Sequence, residues 1–204
     1  FPGIACAANL AWNAGSPEFS IVATPILAVP YVSGLFTIDN VTIPNSPLGG
    51  TNIARLNNSQ SGILATRMIS TFPVTAANSL FQFAYAGSWH SDGHACCDQP
   101  SFTIRLYNCP GAPLTCSSVS LTPTGPNCAN GSGTYTLHPS GVSWTNWIVN
   151  YIDLSPFIGT CVTIEVVNSD CTGGAHHGSA YFDSRCGGSL VPGGFAPPGN
   201  GGQV

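Results

Sequence analysis

Apolar residues in this chain recur at every second position, in short runs separated by glycine and proline. From Cys161 to Val167, Val162, Ile164 and Val166 point one way while Cys161, Thr163 and Glu165 point the other. Side chains of an extended strand alternate between faces, so this run predicts a strand with one buried face and with Glu165 on the outward one. Ala180, Phe182 and Ser184 alternate with Tyr181, Asp183 and Arg185 in the same way. So do Phe102, Ile104 and Leu106 with Thr103, Arg105 and Tyr107, and Phe81, Phe83 and Tyr85 with Gln82 and Ala84. Leu64, Met68 and Phe72 share one face of a further strand that also carries Arg67. Ile148 to Asp153, Leu114 to Leu121 and Thr134 to Leu137 add shorter strands. No window shows the i, i+3, i+4, i+7 spacing of an amphipathic helix. Short strands at turn-punctuated intervals predict an all-β sandwich or barrel.

The breakers divide the chain. Asp153-Leu-Ser-Pro-Phe-Ile-Gly159 reads as a compact corner, because Pro156 fixes its own φ and lacks an N–H while Gly159 admits positive φ. Phe19 to Val32 is apolar and β-prone, but Pro25 and Pro30 confine it to an edge or to an extended strand with gaps in its ladder. Leu35 to Ile43 reads as another strand, and the Pro/Gly/Asn-rich stretch Pro44 to Asn58 as loop. From Gly187 the chain holds Gly-Gly, Pro-Gly-Gly and Pro-Pro-Gly, the composition of a flexible linker. The expected organisation is an N-terminal arm with first strands over 1–49, a core over 50–186 and a Gly/Pro-rich tail over 187–204.

Charge narrows the functional classes. Only 6% of the 204 residues are charged, against roughly 25% in ordinary soluble domains. There is no lysine, and four arginines face eight acidic residues for a net charge of −4. That argues against nucleic acid, whose phosphates need several basic contacts, and against an anionic membrane surface. The apolar run Ile21 to Val32 is too short and too proline-broken to insert in a bilayer. A surface with so little charge lacks the repulsion that keeps molecules apart, which points to a cover of Ser, Thr, Asn and Gly, to glycosylation or to assembly.

Nine cysteines (Cys6, Cys96, Cys97, Cys109, Cys116, Cys128, Cys161, Cys171 and Cys186) lack the paired C-x2-C spacing of a zinc site. They read as disulfides formed in an oxidising compartment. Cys109–Cys116 and Cys161–Cys171 are candidates for local loops; connectivity stays open, and an odd count leaves one cysteine over. With Phe1 rather than Met at the start, the expectation is a processed, secreted protein.

Two polar clusters stand out, Trp89-His-Ser-Asp-Gly-His-Ala-Cys-Cys-Asp98 and Asp170-Cys-Thr-Gly-Gly-Ala-His176-His177, with Asp183 on the following strand. Asp92, His94, Asp98, His176, His177 and Asp183 are candidate metal ligands. Aspartate oxygens suit calcium and imidazoles suit zinc or copper. The competing reading makes them turn-capping and hydrogen-bonding loop residues. Trp89, Tyr107 and Trp144 are candidates for stacking on sugar rings; the competing reading is burial. No Gly-x-Ser-x-Gly or His-Glu-x-x-His is present and no nucleophile–base pair stands out, so no enzyme is expected.

Several of these stretches also carry a resemblance. Gly62-Ile-Leu-Ala-Thr-Arg-Met-Ile-Ser-Thr-Phe-Pro-Val-Thr75, Asp98-Gln-Pro-Ser-Phe-Thr-Ile-Arg-Leu-Tyr107, Trp144-Thr-Asn-Trp147, the Asp153–Gly159 corner and Gly173-Gly-Ala-His-His-Gly-Ser-Ala-Tyr-Phe-Asp183 follow one another in the order of a known module. Over about residues 50–186 the chain resembles a jelly-roll β-sandwich of secreted and cell-surface proteins of Bacteroidetes-type bacteria, distantly similar to MAM and carbohydrate-binding modules. The resemblance implies a jelly roll, a bacterial cell-surface location and a structural calcium; the cysteines add disulfide staples, and the stretches that the resemblance leaves uncovered read as extended N- and C-terminal arms.

Together these readings predict a non-catalytic structural or adhesive protein, the self-assembling subunit of a pilus-like surface filament. Strand or arm exchange between copies would involve Phe19, Ile21, Ile26 and Val29, or Leu190 and Phe195, by adding to a neighbour's sheet edge. The alternative is a carbohydrate-binding module with a structural calcium. The expected partner is a second copy of the chain, or else a glycan.

Overall fold

A computed structural model describes residues 21–22, 31–32, 36–38, 41–49, 53–57, 62–90, 98–109, 111–114, 119–121, 136–137 and 142–187. Thirteen strands run through them: β1 (Ile21–Val22), β2 (Tyr31–Val32), β3 (Phe36–Ile38), β4 (Val41–Ile43), β5 (Ile53–Leu56), β6 (Ala65–Pro73), β7 (Leu80–His90), β8 (Ser101–Asn108), β9 (Val119–Leu121), β10 (Thr136–Leu137), β11 (Val142–Asp153), β12 (Cys161–Ser169) and β13 (Gly178–Gly187). One sheet has the order β1-β6-β12-β8-β9 and the other β10-β11-β7-β13-β5-β2, with β3 and β4 as a separate hairpin. The pairings are antiparallel except β1 with β6. The expected all-β, sandwich-like fold with a disulfide is what the chain forms.

The core lies between the sheets and follows the period-two pattern. Met68, Phe102, Ile104, Leu106, Val162, Ile164 and Val166 from the first sheet meet Ala54, Leu56, Phe81, Phe83, Tyr85, Trp89, Ala180 and Phe182 from the second. Phe81 stacks on Phe83 and Phe83 on Phe182, at centroid distances of 5.5 and 6.3 Å. Each such side chain removed from water stabilises the fold by roughly 1.5–3 kcal/mol.

The second sheet is covered on its outer face too. Ile43, Ile53, Ala86 and Tyr181 form a smaller cluster there, with Trp144 and Trp147 packed against it. A bulge between Thr145 and Ile148 adds one residue to β11 opposite β7. An extra residue shifts the alternation by one, so Trp144 and Trp147 share this outer face while Ile148 returns to the core. The Trp147 indole N–H donates to the Pro44 carbonyl at 2.6 Å, and Ser46 donates to Asp183 at 2.5 Å. Residues 43–48 are thereby fastened to the back of the sandwich. β5 lies inside the stretch read as loop from sequence; both of its faces are largely buried, so it shows no polar alternation.

The corner after β11 forms as expected. Asp153 accepts from the Ser155 N–H at 2.8 Å, and that bond holds its carboxyl below the usual range. Residues 155–157 make one 3-10 turn, and Gly159 takes φ +88°. Leu154 is fully buried, and backbone bonds Val74 N to Thr160 O and Leu154 N to Ser79 O dock the corner on the β6–β7 turn.

Neither local disulfide forms. Cys109, just past β8, bonds Cys161 at the start of β12, with Cα atoms 5.4 Å apart. These positions continue the antiparallel register Asn108↔Val162 by one step, which brings the two Cβ atoms together. Cys171 is a buried thiol. Cys6, Cys96, Cys97, Cys116 and Cys128, and the side chain of Cys186, lie outside the described residues, as do Phe19, Ile26, Val29, Leu190 and Phe195. Ile21 lies in β1, described for its backbone alone.

Candidate functional site

At one end of the sandwich β7 and β12 finish while β8 and β13 begin, and the polar residues singled out from sequence gather around the β12–β13 loop. The loop is closed by its own first residue. The Asp170 N–H donates to Leu64 O at 2.8 Å, and Asp170 Oδ1 accepts from Gly178 N at 3.0 Å and from Asn57 Nδ2 at 3.2 Å. Gly174, at φ +75°, makes the turn inside the loop. The His176 N–H donates to the Cys171 sulfur at 3.1 Å. Asn57, a non-glycine residue at φ +59°, presents its amide to Asp170 and accepts from the Thr66 hydroxyl.

Beneath the loop sits Asn168, fully buried. Its Nδ2 donates to Gly178 O at 2.6 Å and Leu56 O at 3.3 Å, and its Oδ1 accepts from the Trp89 indole at 3.2 Å. Trp89 is 0% exposed. It is therefore a core residue, and the expectation that it stacks on a sugar is corrected. Tyr107 lies on the outer face of the first sheet, donating to Glu165 at 2.8 Å; burial and then Glu165 push its phenol upward. Trp144 lies on the outer face of the second sheet. The three aromatics thus occupy three separate places and form no common platform. Glu165 points outward as expected yet is only 4% exposed, because Arg67 pairs with it at 2.5 Å and Tyr107 covers it.

The metal candidates divide. Asp98 tethers the loop, accepting from Thr172 Oγ1 at 2.6 Å and from Thr172 N through its carbonyl at 3.2 Å. His176 and His177 gather around His90, a residue the sequence reading passed over, with ring centroids 4.8 and 5.6 Å from it. His90 N also donates to His177 O at 2.9 Å. Asp183 does not join them. It sits five positions along β13 from Gly178, about 17 Å away at the rise of an extended strand, and accepts from Ser46. Asp92 and His94 lie outside the described residues. Among the described residues no group of three His, Cys, Asp or Glu side chains is placed to hold a metal ion.

The most unusual group is Asp170. It is 1% exposed, and among the described residues its Oδ2 is buried without a hydrogen-bond partner. Burial pushes its carboxyl up to about 6, against the opposing pull of Gly178 N–H, Asn57 and His177. A folded-state value above the ordinary 3.8 means that the fold favours the neutral acid. Asp170 therefore contributes full stability below about pH 4, loses it between pH 4 and 6, and contributes a constant penalty of about 3 kcal/mol above that. Urea unfolding at pH 4 and pH 7.5 is expected to show this difference when the protein is compared with Asp170→Asn, since other titrating groups cancel between the two. Equal pH dependence in both proteins would exclude it.

No family model matches the chain, and no curated protein sequence matches it.

Proposed function

We propose that the protein is a non-catalytic structural subunit of a secreted, bacterial cell-surface assembly, built from copies of itself by exchange of extended segments. One observation carries this reading: the N-terminal segment contributes edge strands to both sheets. Ile21 and Val22 pair with Arg67 and Met68 of β6, and Tyr31 and Val32 pair with Ala54 and Ile53 of β5. A segment that completes two sheet edges through main-chain bonds can do the same for a neighbour. The jelly-roll reading of the scaffold agrees with the strand order. If β5, β6, β7, β8, β9, β11, β12 and β13 are counted one to eight, the sheets read 1-8-3-6 and 2-7-4-5, two Greek keys wound together. The Cys109–Cys161 disulfide supports a secreted location.

The alternative, a carbohydrate-binding module with a structural calcium, draws support only from Asp170 Oδ2. Calcium takes six to eight oxygens, and its sugar-stacking face has lost Trp89 to the core.

Light scattering and electron microscopy of the full chain and of residues 34–204 test the proposal. The full chain is expected to give polymers and the truncated chain dispersed particles. Identical behaviour of the two, whether both monomeric or both polymeric, defeats the reading.

A further inference from the structure

Asn57, Thr66 and Asp170 meet at one end of the sandwich from three different elements. Asn57 follows β5 of the second sheet, Thr66 lies at the start of β6 in the first, and Asp170 follows β12. Thr66 stands opposite Asn168 in the β6–β12 ladder, so the two side chains share the inner face. Asn57 takes φ +59°, a left-handed conformation that asparagine adopts more readily than most residues. Its backbone N–H donates to Thr66 Oγ1 at 3.2 Å, and the Thr66 hydroxyl donates to Asn57 Oδ1. Asn57 Nδ2 donates to Asp170 Oδ1 at 3.2 Å. One side-chain amide thus has a hydroxyl on its oxygen and a carboxyl on its nitrogen. The three residues are 3%, 0% and 1% exposed. Asp170 Oδ2, unpartnered among the described residues, lies beside Gly62, where a Cβ would stand 3.5 Å from it.

We infer that Thr66 and Asn57 join in an intramolecular ester, formed with loss of ammonia, and that Asp170 carries the proton for the step. The hydroxyl oxygen is held against the Asn57 Cγ=Oδ1 group, the kind of placement that turns a bimolecular attack into a local one. Thr66 Oγ1 forms a bond to Cγ, and its proton passes to Oδ1. Asp170 gives its carboxyl proton to Nδ2, the C–N bond breaks with its electron pair going to nitrogen, and ammonia leaves. The Asp170 carboxylate then takes up the proton left on Oδ1 as the carbonyl re-forms. One hydroxyl and one primary amide are consumed, one ester and one ammonia are made, and the acid is regenerated. A proton donor has to be neutral inside the fold, and burial pushes the Asp170 carboxyl up to about 6. Burial also protects the product, because an ester hydrolyses only where water reaches it. The step gives a role to an acid that costs the fold stability at neutral pH. The bond ties β5 of the second sheet to β6 of the first, strands that no ladder joins. It needs no second copy of the chain.

Mass spectrometry of the full chain, reduced and digested with trypsin, tests this. Cleavage at Arg55 and Arg67 puts both residues in one peptide, 56–67. From the wild type that peptide is expected to be lighter than its sequence by one ammonia. It is also expected to give no fragment ions from cleavage between Asn57 and Thr66, since one broken backbone bond leaves the ring closed. Hydroxylamine is expected to open the ester to a linear peptide with a hydroxamate at position 57. Thr66→Val and Asp170→Asn, each with an unchanged far-ultraviolet dichroism spectrum, are expected to return the full sequence mass. The full sequence mass in the wild type overturns the proposal, and that result needs no variant to fold. An ammonia loss that survives Thr66→Val, with free fragmentation between Asn57 and Thr66, is a succinimide and overturns it equally. A loss retained in Asp170→Asn overturns the assignment of the proton carrier.

Discussion

Trp89→Ala is expected to lower the unfolding free energy by about 3–5 kcal/mol, the range for deleting a large aromatic from a packed core. Trp89 is fully buried against Phe102, with ring centroids 6.5 Å apart, and the surrounding backbone is shaped to it. A Cβ at Gly178 would lie 2.7 Å from the indole Cδ1 and 2.9 Å from Ser169 O, and one at Gly87 would lie 2.8 Å from its Cη2. Two glycines thus leave the slot the ring fills, and strands drawn this close have little room to collapse into the space left by alanine. The substitution also takes the donor away from Asn168 Oδ1, the hub that joins Leu56 and Gly178. A buried acceptor stripped of its donor adds roughly 1–3 kcal/mol. Trp89→Phe separates the terms: it keeps most of the volume and loses only the donor. Urea unfolding of the two variants measures both. A loss under about 1 kcal/mol for alanine is what an exposed, sugar-stacking tryptophan would give, and it would return Trp89 to a surface role.

Trp89 also shows how much of the site was legible. It stands eight positions from Phe81 and six from Phe83, so the period-two rule places it on the core face with them. Grouping it with the polar residues that follow hid that parity. Asp183 is the converse. Its alternation with Phe182 marks it as outward, away from the sandwich end where His176 and His177 lie, and strand arithmetic alone separates them. Where a strand is long and one-sided, as β8 is, pattern and structure agree residue by residue. β5 was illegible because four residues buried on both faces carry no alternation, and their Pro/Gly/Asn surroundings read as loop. His90 and Asp170 owe their importance to partners 86 and 113 residues away, His176 and Asn57. No local pattern reports contacts of that range. Alternation puts Glu165 on its outer face, but its cover depends on which strands become neighbours: Arg67 comes from β6 and Tyr107 from β8.

The disulfide is a contact of the same long-range kind, and removing it is expected to cost nearly as much as removing Trp89. Cys109 and Cys161 stand 52 residues apart, and closing a loop of that length in the unfolded chain corresponds to about 4 kcal/mol in the chain-entropy treatment. The loop contains β9, β10 and β11, so this bond closes the excursion between β8 and β12, two strands that are neighbours in one sheet. Local pairing of Cys109 with Cys116 would have closed only a few residues and constrained much less. For a chain of this size, 4 kcal/mol corresponds to a fall in melting temperature of about 8–16 °C. Calorimetry of the double variant Cys109→Ser, Cys161→Ser against the wild type measures it. The double variant is preferable to a reductant, which acts on every disulfide at once, and to a single variant, which leaves a thiol free to pair elsewhere. A shift under about 2 °C would mean that the folded sheet holds β8 and β12 in register without help, and that the unfolded chain is restrained by something other than this bond. A large shift would make folding depend on an oxidising compartment, because the stability a marginal domain has to spare is of the same order. It would tie the secreted location proposed for this protein to the register between two strands.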